Sequence, residues 1–221
     1  MSDHTPETQN TSPEASQNGE INPSRRKLTG AALGVSAIFT LASRPVLAAQ
    51  CMTPSAACSG NLSQHGTPTL CDGKSPGYWK EHTEAWPSPY LPGSCTSGKK
   101  SYNQAVNWQG GTLFHPLFSG TQFMADLDGN FSTPNTSLSM MQVMMLNNGS
   151  NPWGLTDPDN LGAHIVAALL NAAAGLTPVL SVTDVIGIWN EWASKGYFEP
   201  TANVQWNSAQ IVDYLKTTMP V

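Results

Sequence analysis

The segment Ser75-Pro76-Gly77-Tyr78-Trp79-Lys80-Glu81-His82-Thr83-Glu84-Ala85-Trp86-Pro87 holds the densest group of side chains in this chain that could do chemistry. Ser75 can cap a helix that begins at Pro76, and Pro87 forbids extension, so the spacing predicts one helix running through Tyr78 to Trp86. On that helix Trp79, His82 and Trp86 share a face at i, i+3, i+7, while Lys80 and Glu84 pair at i,i+4 on another. Left exposed, the rings make an aromatic shelf beside an imidazole, suited to stacking on a sugar or a flat organic group, with Tyr78 at its edge. Buried, they are core, with His82 hydrogen-bonded between two tryptophans. Glu81 or Glu84 together with His82 or His164 could instead serve as acid and base in hydrolysis of a polymer. The two glutamates are neighbours on an exposed side, where nothing desolvates them into a useful pKa.

A second polar line lies downstream. His164, Ala168 and Asn171 fall at i, i+4, i+7 on a helix predicted from Asn160 to Ala174, beside the apolar line Leu161, Ile165, Leu169 and Ala172. The alanines allow another helix to approach closely. Buried without partners, an imidazole or amide costs about 1–3 kcal/mol, so this narrow face needs a polar neighbour. Docking against the Tyr78–Trp86 helix would give His82, His164 and Asn171 a common site.

Four further patterns point to known chemistries and fall short of them. Gly73-Lys74-Ser75-Pro76-Gly77 matches G-x-S-x-G, but the residue after a nucleophilic serine must lend its backbone N–H to the oxyanion hole, and Pro76 has none. Gly93 to Lys99 fits the first seven positions of a phosphate loop, yet Lys100 stands where a magnesium-binding Ser or Thr belongs. Asp126-Leu127-Asp128-Gly129-Asn130 opens like a calcium loop and lacks the closing glutamate, which leaves an acidic turn. Met140, Met141, Met144 and Met145 pair at i,i+4; thioethers can hold copper(I), but with no further soft ligand nearby they read as core filler. No cofactor motif is intact.

The first segment resembles the G-[YF]-W-K-x-H-x-x-A-W-P signature of an uncharacterised family of secreted bacterial proteins found in surface or matrix-like contexts. His164 to Gly175 is similar to an alanine-rich helix, with asparagine and terminal glycine, downstream in such proteins. The chain departs from the pattern at Glu81, where relatives carry asparagine. The resemblance implies a secreted or surface-associated protein and assigns no activity.

Compartment follows from the other end. Ser24-Arg25-Arg26-Lys27-Leu28 precedes a mild apolar run and the small-residue stretch Val46-Leu47-Ala48-Ala49, which together resemble a twin-arginine export signal. The apolar run from Leu28 to Ala42 is shorter than the roughly 20 residues needed to span hydrocarbon, so it reads as a signal core and membrane contact is expected only during export. Cys51 as a lipid-anchor site is the rival, but Gln50 precedes it where a small residue belongs. Residues 1–23, rich in Ser, Thr, Asn, Gln, Glu and Pro, are expected to be a disordered leader. Residues 1–48 are thus read as signal and leader, and 49–221 as one extracytoplasmic domain, periplasmic or secreted. That domain keeps six lysines and no arginine against eleven carboxylates, which excludes a nucleic-acid or anionic-membrane surface. Cys51, Cys58, Cys71 and Cys95 are an even count in an exported chain, which predicts two disulfides with three pairings open. A zinc site is the alternative, although no Cys-x2-Cys pair is present.

Elements must position these groups. Cys51 to Leu70 reads as stapled loop, and the stretch from Pro89 to Phe123 as a long irregular segment pinned by Tyr102, Trp108, Phe114, Phe118 and Phe123. Helices are predicted from a Ser137 cap to Asn147, from an Asp159 cap to Ala174, from Val182 to Lys195, and from Ser208 to Thr217 behind Asn207. No run alternates as a strand should, so the expected fold is all-α with much coil. The expected function is a non-enzymatic binding or surface-structural module, its partner an envelope polysaccharide met through the aromatic patch or another surface protein. The hydrolase with a Glu/His pair is the alternative.

Overall fold

The computed structural model describes residues 51–59, 69–96, 104–125, 136–148 and 151–220. The signal and leader, the acidic turn at Asp126–Asn130 and the end of the Gly93–Lys99 pattern lie outside the described residues. Among the described residues six helices run in the order α1 (Pro54–Ser59), α2 (Pro76–Glu81), α3 (Met140–Met145), α4 (Leu161–Ala173), α5 (Val182–Lys195) and α6 (Ser208–Thr217). Their ends follow local chemistry. Ser181 and Asn207 form capping boxes with Asp184 and Gln210, and α5 stops where Gly196 turns left-handed.

At the centre stands α4, apolar on nearly every side, with α3, α5, α6 and α2 packed around it. Gly162 permits this: a Cβ there would lie 2.6 Å from the Phe123 ring and 2.8 Å from Val143. Met140, Met141, Met144 and Met145 are all buried in that core, as thioethers filling irregular space are expected to be. Phe114, Phe118, Phe123 and Trp189 form one aromatic cluster, with Phe114 4.8 Å from Trp189 and 4.4 Å from Phe118, centroid to centroid.

The all-α expectation is corrected. Among the described residues three two-stranded antiparallel ladders join β1 (Ser94–Cys95) to β2 (Trp108–Gln109), β3 (Met124–Ala125) to β4 (Thr136–Ser137), and β5 (Phe198–Thr201) to β6 (Val204–Trp206). Four of these strands are two residues long, too short to show alternation in sequence. They exist because buried irregular backbone must still pair its N–H and C=O groups.

Other boundaries move for similar reasons. Ser139, not Ser137, caps α3 through a box with Gln142, leaving Ser137 on β4. The segment read as loop after Cys51 contains α1. One disulfide, Cys51–Cys71, forms beside the backbone bond from Cys51 N–H to the Thr69 carbonyl at 2.8 Å. The second expected bridge is absent: Cys58 on α1 and Cys95 on β1 are thiols, each carried on an element of its own. Among the described residues no helix is long and apolar enough to cross a membrane.

Candidate functional site

Ser75 opens α2 as predicted, its hydroxyl accepting the Tyr78 N–H at 3.3 Å with Pro76 in the first turn. The helix is shorter than expected. At His82 the backbone leaves the helical region (φ −111°, ψ 65°), and Thr83–Ala85 continues as a 3-10 turn.

Trp79 and Trp86 are 2% and 9% exposed, so neither ring forms a shelf. Trp86 Nε1 donates to the Trp79 carbonyl at 2.9 Å, and Trp79 Nε1 donates to Asn171 Oδ1 at 3.1 Å. Asn171 does more. Its Oδ1 also accepts the Lys74 N–H at 2.7 Å while its Nδ2 donates to the Lys74 carbonyl at 2.9 Å, so a side-chain amide pairs with Lys74 as a neighbouring strand would. Immediately before Lys74, the Asp72 N–H reaches the Leu176 carbonyl, and Gly73 passes so close to the end of α6 that a Cβ would sit 2.3 Å from the Thr218 carbonyl oxygen. The strip from Asp72 to Trp86 is therefore a clamp on α4, locked by one buried asparagine.

The histidines do not join it. His82 stacks on Tyr78 at 4.1 Å and donates from Nδ1 to the Tyr78 carbonyl, while His164 donates from Nδ1 to the Asn160 carbonyl at 2.8 Å. Burial lowers the His164 pKa below its ordinary value, with Lys216 and Lys80 adding to that push against the Asn160 bond and Asp213. Three candidates thus have three different partners, and Glu81 and Glu84 are exposed. No protein-family model matches this chain, and no curated protein or solved structure matches it either.

Two features were missed in sequence. The first is Asp157, which takes the capping role expected of Asp159. Its carboxylate accepts the N–H groups of Gly162 at 2.8 Å and Ala163 at 3.0 Å, across the left-handed residues Asp159 and Asn160. Burial pushes its pKa up to about 6, helped by the charge of Asp159 and opposed by the two N–H bonds. Because the folded state holds this proton more tightly than the unfolded chain does, Asp157 stabilises the fold most below about pH 3.8 and that contribution drains away up to about pH 6. Denaturant unfolding at pH 4 and pH 6.5 should show a loss of about 2–3 kcal/mol in the native chain that Asp157→Asn removes. Equal pH dependence in both chains would contradict this.

The second is an open groove of about 600 Å³ lined by Pro89, Tyr90, Thr112, Leu113, His115, Pro116 and Leu117. Its walls are tied together: Thr112 N–H donates to the Leu91 carbonyl, and Thr112 Oγ1 accepts the Leu91 N–H, both at 2.8 Å. Leu113 is 45% exposed and Leu91, beside the groove, 65%. Apolar side chains left in water at a concave surface favour contact with another apolar surface. Only the cluster of Pro, Tyr and Leu within the irregular segment could have signalled it, and that pattern has no period.

Proposed function

We propose that this chain is an exported, non-enzymatic binding or surface-structural protein that meets another surface polypeptide through the groove between Pro89–Tyr90 and Thr112–Leu117. The observation that carries the proposal is the contrast between this groove, with Leu113 45% exposed, and the motif tryptophans, which are buried. Aliphatic and prolyl walls suit a polypeptide partner better than a glycan, since Tyr90 offers little open ring and Trp79 and Trp86 offer none. The exposed Glu81 and Glu84 lend no support to acid–base hydrolysis. Export along the twin-arginine route is part of the same proposal. The Cys51–Cys71 disulfide is compatible with an oxidising extracytoplasmic setting, and so is the family resemblance of the Gly77–Pro87 signature.

Leu113→Asp should leave the fold intact, because the side chain is already exposed, and weaken binding to the isolated surface-protein fraction at least tenfold. Leu70→Asp, at an exposed leucine that does not line the groove, should bind as the native chain does. Equal binding by both variants would overturn the proposal. So would release of soluble fragments from envelope polysaccharide by the native chain.

A further inference from the structure

The chain carries one Asp-Pro bond, between Asp157 and Pro158. Proline has no backbone N–H, so this aspartate cannot close to a succinimide through the following nitrogen. Its side-chain oxygen remains as an internal nucleophile, one ring closure away from its own carbonyl carbon. That carbonyl is held in a particular way. Its oxygen accepts from Asn147 Nδ2 at 2.9 Å and from the Asn160 N–H at 3.2 Å, two donors on the atom that gains charge when a nucleophile adds. The carboxyl is positioned as well, with the Gly162 N–H on one oxygen at 2.8 Å and the Ala163 N–H on the other at 3.0 Å. Asp159 and Asn160, which fold the chain back over the bond, are both left-handed. Asp157 is buried and Pro158 exposed, so the bond lies where the core meets water.

We propose that the Asp157–Pro158 bond is a self-cleavage site, with the Asp157 carboxyl as nucleophile and proton source and with Asn147 and the Asn160 N–H stabilising the carbonyl oxygen. A carboxyl oxygen bonds to the Asp157 carbonyl carbon, and the carboxyl proton passes to the Pro158 nitrogen. The carbon–nitrogen bond breaks with its electron pair staying on nitrogen, which leaves a cyclic anhydride on Asp157 and a secondary amine on Pro158. Water opens the anhydride and restores the side chain. The net reaction is hydrolysis of one peptide bond, with water as the only other reactant. It happens once in each chain and does not involve the groove, so it is independent of partner binding. The cut falls just ahead of α4, whose packing against α2 and α3 holds the two pieces together.

The acid form of Asp157 is required, because the leaving nitrogen takes its proton from the carboxyl. Burial pushes the Asp157 pKa up to about 6, helped by the charge of Asp159, so the acid is present in mildly acidic water. The other charged neighbours are engaged elsewhere. Asp159 accepts the Ser208 hydroxyl of α6, and further along α6 Asp213 pairs with Lys216 at 3.5 Å. On α4, His164 donates from Nδ1 to the Asn160 carbonyl, and burial lowers its pKa below the ordinary value. Residues 151–156 and α3 carry no titratable side chain. Cleavage should therefore be fastest in mild acid and fade as the pH rises through about 6.

Mass spectrometry of the purified full chain, held at pH 5 and pH 8 both native and unfolded in urea, tests the site. At pH 5 the native chain should release a fragment beginning at Pro158 at least tenfold faster than at pH 8. It should also do so at least tenfold faster than the unfolded chain at pH 5, which reports the ordinary lability of an Asp-Pro bond; removing one donor from an oxyanion site typically costs more than that. Asn147→Ala should slow native cleavage at least fivefold and leave the unfolded rate unchanged. Asp157→Asn, with no carboxyl proton to give, should stay intact. A native chain that remains whole at pH 5, or is cut no faster than the unfolded chain, would overturn the proposal; both are read on the native protein even if the variants fail to fold.

Discussion

Asn171→Ala should destabilise the fold by about 3–5 kcal/mol, among the largest effects of any single polar substitution here. Asn171 is fully buried, and its amide satisfies three groups: the N–H and C=O of Lys74 and the indole N–H of Trp79. Truncation strands all three away from water, at about 1–3 kcal/mol for each that finds no substitute. Asn171→Asp sharpens the test, because its shape is the same. The carboxylate can still accept from Lys74 and Trp79 but has no donor for the Lys74 carbonyl, and it carries a charge into the core. Both variants should unfold at lower urea with an unchanged slope, and the alanine variant should also show greater exchange at Lys74 and Trp79. Destabilisation below about 1 kcal/mol for Asn171→Ala would mean that the clamp is held by packing alone.

Gly73→Ala should cost nearly as much, by a different route. The added Cβ meets the Thr218 carbonyl oxygen at 2.3 Å, with Asn171 Nδ2 and Thr177 Cγ2 at 3.0 Å. Because the nearest atom is backbone, no rotamer change relieves the clash, and the end of α6 has to move off the clamp. Overpacking of this kind typically costs about 1–3 kcal/mol, and the loss of the Lys74–Asn171 pairing would add to it. Since both substitutions disable one contact region, the double variant Gly73→Ala/Asn171→Ala should be less destabilised than the sum of the two. Strict additivity in urea unfolding would show that Gly73 and Asn171 act on separate parts of the fold.

What was legible in sequence follows from how local each signal is. Ser75 and Asn207 announce helix starts through bonds that span three residues, and both are caps in the structure. The line His164, Ala168, Asn171 showed that an amide on α4 needed partners. It could not show which, because Lys74 lies 97 residues away and contributes backbone that no side-chain pattern reports. Gly73 drew attention as part of a hydrolase-like motif, while its role is to leave room for a carbonyl. The helix expected to reach Trp86 ends at His82, and of the two readings open for its tryptophans the buried one holds, while His82 bonds the Tyr78 carbonyl. Asp157 escaped notice because capping from outside the first turn needs two successive left-handed residues, Asp159 and Asn160, neither of them glycine. The short ladders and the thiols of Cys58 and Cys95 depend on how distant segments meet, which spacing alone does not encode.

The central claim is that the tryptophan-rich motif is architecture and that the groove is the working face. Hydrogen exchange on the chain with and without the isolated surface-protein fraction tests both halves at once. Binding should add protection at residues 89–91 and 112–117 and leave residues 78–86 and His164 unchanged. Protection confined to residues 78–86, or around His164, would contradict the account.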